Sequence, residues 1–268
     1  MPLESTAGDG AAEPADAADP RLLIVSDVDG TMLGDDEGLA RFVAWWEPLR
    51  DVVLLAYNSG RFVESLQESV RDTGLPEPHA FIGGVGTQIE LTASAGEPQR
   101  LLDWPVRSTK WQAQRVQAAA ASFQQLELQP SHLQSEFKIS YFGYDLSPTV
   151  LQQIEQSLQA AGLQAAVVYS SQRDLDILPA GVHKGTAAGR LAREFRISPE
   201  RVIVCGDTGN DLAMFQEGYH GVVVGNAHAE LKQLDSRRVY QAGSHCAAGV
   251  LEGVRHWREQ WSGRPAKG

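Results

Sequence analysis

Short, wholly apolar runs alternate with polar loops and helical stretches along most of this chain. Leu22-Leu23-Ile24-Val25 ends abruptly in Ser26-Asp27-Val28-Asp29-Gly30. Val52 to Ala56 leads into Tyr57-Asn58-Ser59-Gly60-Arg61 and a helical stretch to about Val70. Ala80-Phe81-Ile82 precedes the turn Gly83-Gly84-Val85-Gly86. Far downstream, Arg201 to Cys205 runs into Gly206-Asp207-Thr208-Gly209-Asn210-Asp211, and Gly221 to Val224 supplies a further strand. An apolar run with no alternation is the mark of a strand covered on both faces. Strands of this kind separated by helices predict a parallel sheet wrapped by helices, with polar function gathered at the strands' carboxyl ends.

The middle of the chain has another rhythm. It predicts a helix over Thr109–Leu126, a strand over Phe137–Phe142, a helix over Thr149–Ala161, and strands over Ala165–Ser170 and Leu175–Leu178. The strands alternate less cleanly, and the Gln- and Ala-rich helices carry Val, Leu and Ile at helical spacing, so the glutamines read as solvated faces. The fold class expected is therefore α/β: a Rossmann-like parallel-sheet core, residues 21–104 and 183–268, carrying an inserted α+β cap, residues 105–182. Residues 1–20, rich in Ala, Asp, Glu, Gly and Pro, read as a disordered leader; they have no basic or apolar region of the kind a signal peptide needs.

Composition narrows the function classes. The formal net charge is -11 and 43% of residues are hydrophobic. An acidic surface opposes broad contact with nucleic acid or an anionic membrane, yet a bound cation can still dominate one pocket. No apolar run reaches the length of a membrane span. The two cysteines, Cys205 and Cys246, make no disulfide framework; Cys205 sits inside an apolar run and reads as a buried strand residue. A reducing cytoplasm is the expected location, and no nucleic acid or membrane is expected as a partner.

The candidate chemistry lies in the loops. Asp27 and Asp29 stand two apart after a buried strand, where concentrated negative charge costs stability unless a cation neutralises it. Alone, the pair reads more readily as a turn. The second acidic loop, Asp207 to Asp211, again follows a buried strand, and two such loops at one sheet edge suit a hard cation with oxygen ligands, Mg²⁺ above others. Ser59 can donate to a phosphoryl oxygen, although a serine there is also an ordinary helix cap. Lys184, opening a helix after the insert, is by itself an ordinary surface lysine. The order acidic loop, hydroxyl, lysine, acidic loop is what joins them.

Those residues resemble the haloacid-dehalogenase-type phosphatase superfamily. DxDxT is matched by Asp27 to Thr31, the second-motif hydroxyl by Ser59, the lysine by Lys184, and GDxxND by Gly206 to Asp211. An α+β insert between the second and third motifs is similar to the subgroup of sugar-phosphate phosphatases. Phe137-Lys138-Ile139-Ser140-Tyr141 and Ser170 to Asp176 resemble the bacterial sucrose-phosphate phosphatases in particular; Gly30-Thr31-Met32 and Ser59 depart from the residues common there without removing a reactive group.

The resemblance implies a Mg²⁺-dependent hydrolysis of sucrose 6-phosphate through an aspartyl-phosphate. Asp27 is the implied nucleophile and Asp29 the general acid and base. Asp27, the Asp29 main-chain carbonyl and Asp207 would hold the metal, with Asp211 in support. Ser59, Lys184 and Asn210 form the implied phosphate site. Lys138, Asp174 and Asp176 are the cap residues expected to read the sugar, and a sucrose-phosphate synthase is the implied partner protein. Mannosylfructose-phosphate and general sugar-phosphate phosphatases share the pattern. A non-catalytic, phosphatase-like regulatory module would lack Asp27 or Asp29, and both are retained. A receiver-type signalling domain would have neither the insert nor GDxxND. Gly83 to Gly86 lacks the spacing of a dinucleotide loop and reads as a tight turn near the substrate. His183 and the pair Trp45 and Trp46 read as structural residues.

Overall fold

The structure, a computed structural model, describes residues 21–92, 98–105 and 108–263; the leader expected over residues 1–20 lies outside them. In chain order the strands are β1 (Leu22–Ser26), β2 (Val53–Asn58), β3 (Ala80–Gly83), β4 (Gln88–Leu91), β5 (Gln99–Arg100), β6 (Glu127–Leu128), β7 (Ile139–Phe142), β8 (Ala165–Ser170), β9 (Asp174–Pro179), β10 (Val202–Gly206), β11 (His220–Val223) and β12 (Val239–Gln241). The helices are α1 (Asp36–Trp46), α2 (Val63–Asp72), α3 (Ala113–Ala120), α4 (Pro148–Ala160), α5 (Lys184–Glu194), α6 (Leu212–Gln216), α7 (Ala229–Lys232) and α8 (Cys246–Ser262).

Two sheets result among the described residues. The larger has the order β12-β11-β10-β1-β2-β3-β4-β5, parallel from β12 to β3 and antiparallel at β4 and β5. β1 and β10 lie side by side at its centre, with Val25 opposite Val204 and Ser26 opposite Cys205. This pairing sets the two acidic loops next to each other, although 180 positions separate Asp27 from Asp207. β1, β2 and β10 are buried along their whole length, as the unbroken apolar runs predict. α1 packs with α8 and α5 with α6, and right-handed crossovers put these pairs on opposite faces. Trp46 is fully buried and its indole donates to the Val53 carbonyl at 2.7 Å.

The second sheet, β6-β7-β9-β8, is antiparallel throughout. Ile139, Tyr141, Leu175 and Ile177 form its apolar face and pack with Val116 of α3 and Ile154 and Leu158 of α4 in a second hydrophobic cluster. The opposite face carries Lys138, Ser140, Asp174 and Asp176, in keeping with the two-residue period of a strand. The helix expected over Thr109–Leu126 is shorter, Ala113–Ala120, and the chain turns at residues 121–125 to make β6. β7 begins two residues late because Ser135 to Lys138 form a turn closed by their own bridge. β4, β5, β6 and β12 are four residues or fewer, too short for a hydrophobic period to mark them.

Candidate active site

The carboxyl ends of β1, β2 and β10 deliver Asp27, Ser59 and Asp207 to one place, and the first residue of α5 brings Lys184 there. Lys184 is fully buried. Its ammonium donates to Asp27 Oδ1 at 2.7 Å, Asp211 Oδ1 at 2.6 Å and Asn210 Oδ1 at 2.9 Å, which uses all three of its hydrogens. The bland expectation for a lysine, a solvated surface charge, fails here because α5 starts beneath the acidic loops. His183, just before it, caps that helix by accepting from Thr186 N–H, a structural role as its position suggested. The Lys184 carbonyl is held in turn by the buried Asn58 amide at 3.0 Å.

Asp211 is also fully buried. While Oδ1 faces Lys184, Oδ2 accepts the main-chain N–H groups of Asp207 and Thr208 at 3.0 and 3.1 Å. Both oxygens are thereby committed, and Asp211 shapes the loop that carries Asp207. Asp207 receives a hydrogen bond from Thr31 Oγ1 at 3.2 Å. A side chain at Gly30, whose φ is +80°, would strike the Asp207 carboxylate. The first acidic loop thus requires glycine so that the second can approach it.

Oxygens of Asp27, Asp207 and Asp211 lie within 4.8 Å of one another, all buried. Burial pushes the Asp27 carboxyl well above the usual carboxylate range against the pull of Lys184, with Asp211 and Asp207 adding to the rise. Burial, then Asp211, pushes Asp207 up to about 6. Lys184 is held above the usual lysine range by Asp211 and Asp27, which outweigh its own desolvation. Three carboxylates with one ammonium leave an excess of negative charge in a desolvated place. That donor set, hard oxygens with more charge than one lysine offsets, fits a divalent cation.

Ser59 is buried and accepts from Arg61 N–H at 3.2 Å, leaving its own hydrogen for another acceptor. Asp29 diverges from the cluster: its carboxylate is mostly exposed and pairs with Arg61, Nε to Oδ2 being 3.0 Å. The Gly84–Gly86 turn, with Val85 at φ 58°, presses on Ser59 from one side and on the His183–Lys184 backbone from the other. Residues that sequence reading passed over as working parts are Thr31, Arg61 and Asn226, whose amide donates to the Gly30 carbonyl at 2.7 Å and whose Oδ1 accepts Cys246 N–H. Thr31 and Arg61 lie beside the motif residues Asp29 and Ser59, a signal of position alone; Asn226 carries no local signal.

The second sheet's polar face lies over this site. β8 lies against the Gly209–Asp211 turn, and Lys138 Nζ stands 5.2 Å from the ring centre of Phe62, next to Arg61. Lys138 and Asp176 are buried and pair at 3.1 Å, each also bonded to Ser140 Oγ, at 2.7 and 2.5 Å. Asp174 is held apart from them, accepting from Gln129 at 3.0 Å and pairing with Arg173 at 2.8 Å.

The sequence matches the family described as sucrose-6F-phosphate phosphohydrolase over residues 20–258. This chain belongs to that family. It is a phosphoric monoester hydrolase on the haloacid-dehalogenase fold. The mannosylfructose-phosphate phosphatase of Agrobacterium fabrum is 36% identical over 243 residues, covering 89% of this chain and 97% of that protein. Sucrose-phosphatase 1 of Nicotiana tabacum is 34% identical over 88% of this chain, which spans 59% of the tobacco protein's length. Among solved structures, the sucrose-phosphatase of Synechocystis sp. PCC6803 in complex with sucrose and phosphate superposes with a TM-score of 0.83 at 33% identity, over 89% of this chain and 98% of that one.

Proposed function

We propose that this phosphatase hydrolyses sucrose 6-phosphate to sucrose and phosphate through an aspartyl-phosphate on Asp27. The observation that carries the reading is the buried cluster of Asp27, Lys184, Asp207 and Asp211 beneath the polar face of the second sheet. In the first half-reaction an Asp27 oxygen attacks phosphorus as the bond to the sugar oxygen breaks, and Asp29 gives that oxygen its proton. In the second, Asp29 takes a proton from water, which attacks the same phosphorus and releases Asp27. The Ser59 hydroxyl holds a phosphoryl oxygen, where charge builds up in the transition state; Lys184, fixed by Asn210 and Asp211, turns the hydrogen it gives Asp27 toward a phosphoryl oxygen as that carboxylate attacks.

Asp27, Asp207 and the Asp29 carbonyl would hold Mg²⁺, with Asp211 supporting the loop. Bound there, the ion offsets the excess carboxylate charge and polarises the phosphoryl group. Residues 105–182 act as the selecting cap on a core of residues 21–104 and 183–268, with Lys138 and Asp176 nearest the site and Asp174 at the far end of β9. No helix among the described residues is long and apolar enough to cross a membrane; a cytoplasmic setting, with a sucrose-phosphate synthase as the supplier of substrate, completes the proposal.

The 36% identity to a mannosylfructose-phosphate phosphatase favours one second reading, that substrate. Phosphate release from sucrose 6-phosphate, mannosylfructose phosphate, fructose 6-phosphate and glucose 6-phosphate, with Mg²⁺ and with EDTA, tests both. Sucrose 6-phosphate should lead in kcat/KM, and chelation should stop all turnover until Mg²⁺ is restored. Undiminished activity in chelator would refute the metal; equal rates on all four sugars would refute the selectivity.

A further inference from the structure

Arg61 has no place in the motif set, yet three observations draw attention to it. Its Nε stands 3.0 Å from Asp29 Oδ2. Its Nε and Nη2 are nevertheless buried without an aligned hydrogen-bond acceptor among the described residues. Those two nitrogens form the outer edge of the guanidinium, the fork that matches both oxygens of one carboxylate. The Asp29 carboxylate is close enough to attract the fork but is turned out of register with it.

The backbone of Arg61 cannot follow Asp29. Its N–H is tied to Ser59 Oγ at 3.2 Å and its carbonyl accepts Gly84 N–H at 2.8 Å. The next residue, Phe62, carries the cap's Lys138 over its ring. Arg61 is therefore a fixed post between the phosphate loop and the cap, and Asp29, mostly exposed on its glycine-containing loop, is the partner with freedom to move. Buried donors with no acceptor are costly, so a small rotation of Asp29 into the fork is favourable.

We propose that Arg61 is a positioning residue that sets where the Asp29 carboxylate stands, and through it the proton transfer to the sugar oxygen. This rests on the reading of Asp29 as general acid and base. It predicts a signature that a phosphate contact or a merely structural arginine would not give. A sugar hydroxyl is a poor leaving group and needs the proton, whereas the nitrophenolate of 4-nitrophenyl phosphate leaves without it.

The test compares Arg61→Ala, Asp29→Asn and the double variant on sucrose 6-phosphate and on 4-nitrophenyl phosphate, in saturating Mg²⁺. The readout is the first half-reaction, followed in a single turnover as release of sucrose or of nitrophenolate, because the water step uses Asp29 for both esters alike. Arg61→Ala should slow that step on the sugar phosphate by about 100-fold, within the range of general acid–base help, with KM nearly unchanged and the aryl ester far less affected. In the Asp29→Asn background, Arg61→Ala should add no further loss. Arg61→Lys keeps the charge without the fork and serves the same comparison should the alanine variant fold poorly. An equal loss on both esters, a loss confined to KM, or additive losses in the double variant would overturn the role of Arg61 while leaving the hydrolytic reading intact. Asp29→Asn without any leaving-group dependence would overturn the acid–base reading itself, and this inference with it.

Discussion

Lys184 and Asp211 meet at 2.6 Å with neither side chain reaching solvent. A buried pair of this kind is costly to break, because removing one partner leaves the other charged and alone. Here the consequence is larger, since Lys184 also faces Asp27, so two of the three clustered carboxylates lose their ammonium partner with it. Lys184→Ala should therefore lower the unfolding free energy by about 3–5 kcal/mol in chelator and abolish turnover. Urea melts with EDTA measure the first effect; a loss below about 1 kcal/mol is what a surface pair would give. Mg²⁺ should return part of the stability and none of the activity.

Gly86 lies against the backbone that starts α5. A methyl group there would fall 2.5 Å from the His183 carbonyl carbon and 2.9 Å from Lys184 N, at a φ of +98°. Neither the clash nor the left-handed backbone has a cheap remedy, since the obstacle is main chain. Gly86→Ala should cost more than about 1 kcal/mol and reduce kcat by displacing Lys184. Gly218, also at positive φ but with nothing within 4 Å, is the control: its alanine variant should lose stability without loss of turnover per folded molecule.

Lys138, Ser140 and Asp176 make a closed polar triad on the second sheet. A disaccharide engages such groups in pairs, and a smaller sugar leaves some unmatched at roughly 1–3 kcal/mol each. Lys138→Ala should reduce the preference for sucrose 6-phosphate over glucose 6-phosphate by about tenfold or more, with 4-nitrophenyl phosphate hydrolysis nearly unaffected. Loss of rate on both substrates alike would instead mark Lys138 as a prop for the second sheet.

Glu252 lies away from the site and offers a pH test. Against a desolvation that acts to raise it, N–H groups of Gly243 and Ser244 and the Tyr240 hydroxyl hold its carboxyl down to about 2 from an ordinary 4.5. A depressed carboxyl pKa contributes stability that is full above the unfolded value and lost as pH falls through the folded one. Glu252→Gln should therefore melt below wild type at pH 7, and the gap should close between pH 4.5 and about 2. A gap that is constant with pH would show that the hydrogen bonds, and not the charge, account for it.

The sequence by itself determined the buried strands of the parallel sheet and the candidate reactive set. Unbroken apolar runs such as Leu22–Val25 and Val202–Cys205 can be satisfied only by burial on both faces, and the polar residues that end them must then fall at strand ends. Local order thus made Asp27, Ser59 and Asp207 legible as one chemistry. The tertiary structure decided the rest, because contacts between distant segments leave no local period. It buried Lys184 and committed Asp211 to the loop backbone. It also turned Asp29 toward Arg61 and separated Asp174 from the Lys138–Asp176 pair. Each outcome depends on which face of a strand or helix start meets another element, and that is fixed only when β1 and β10 pair and the second sheet settles over their ends.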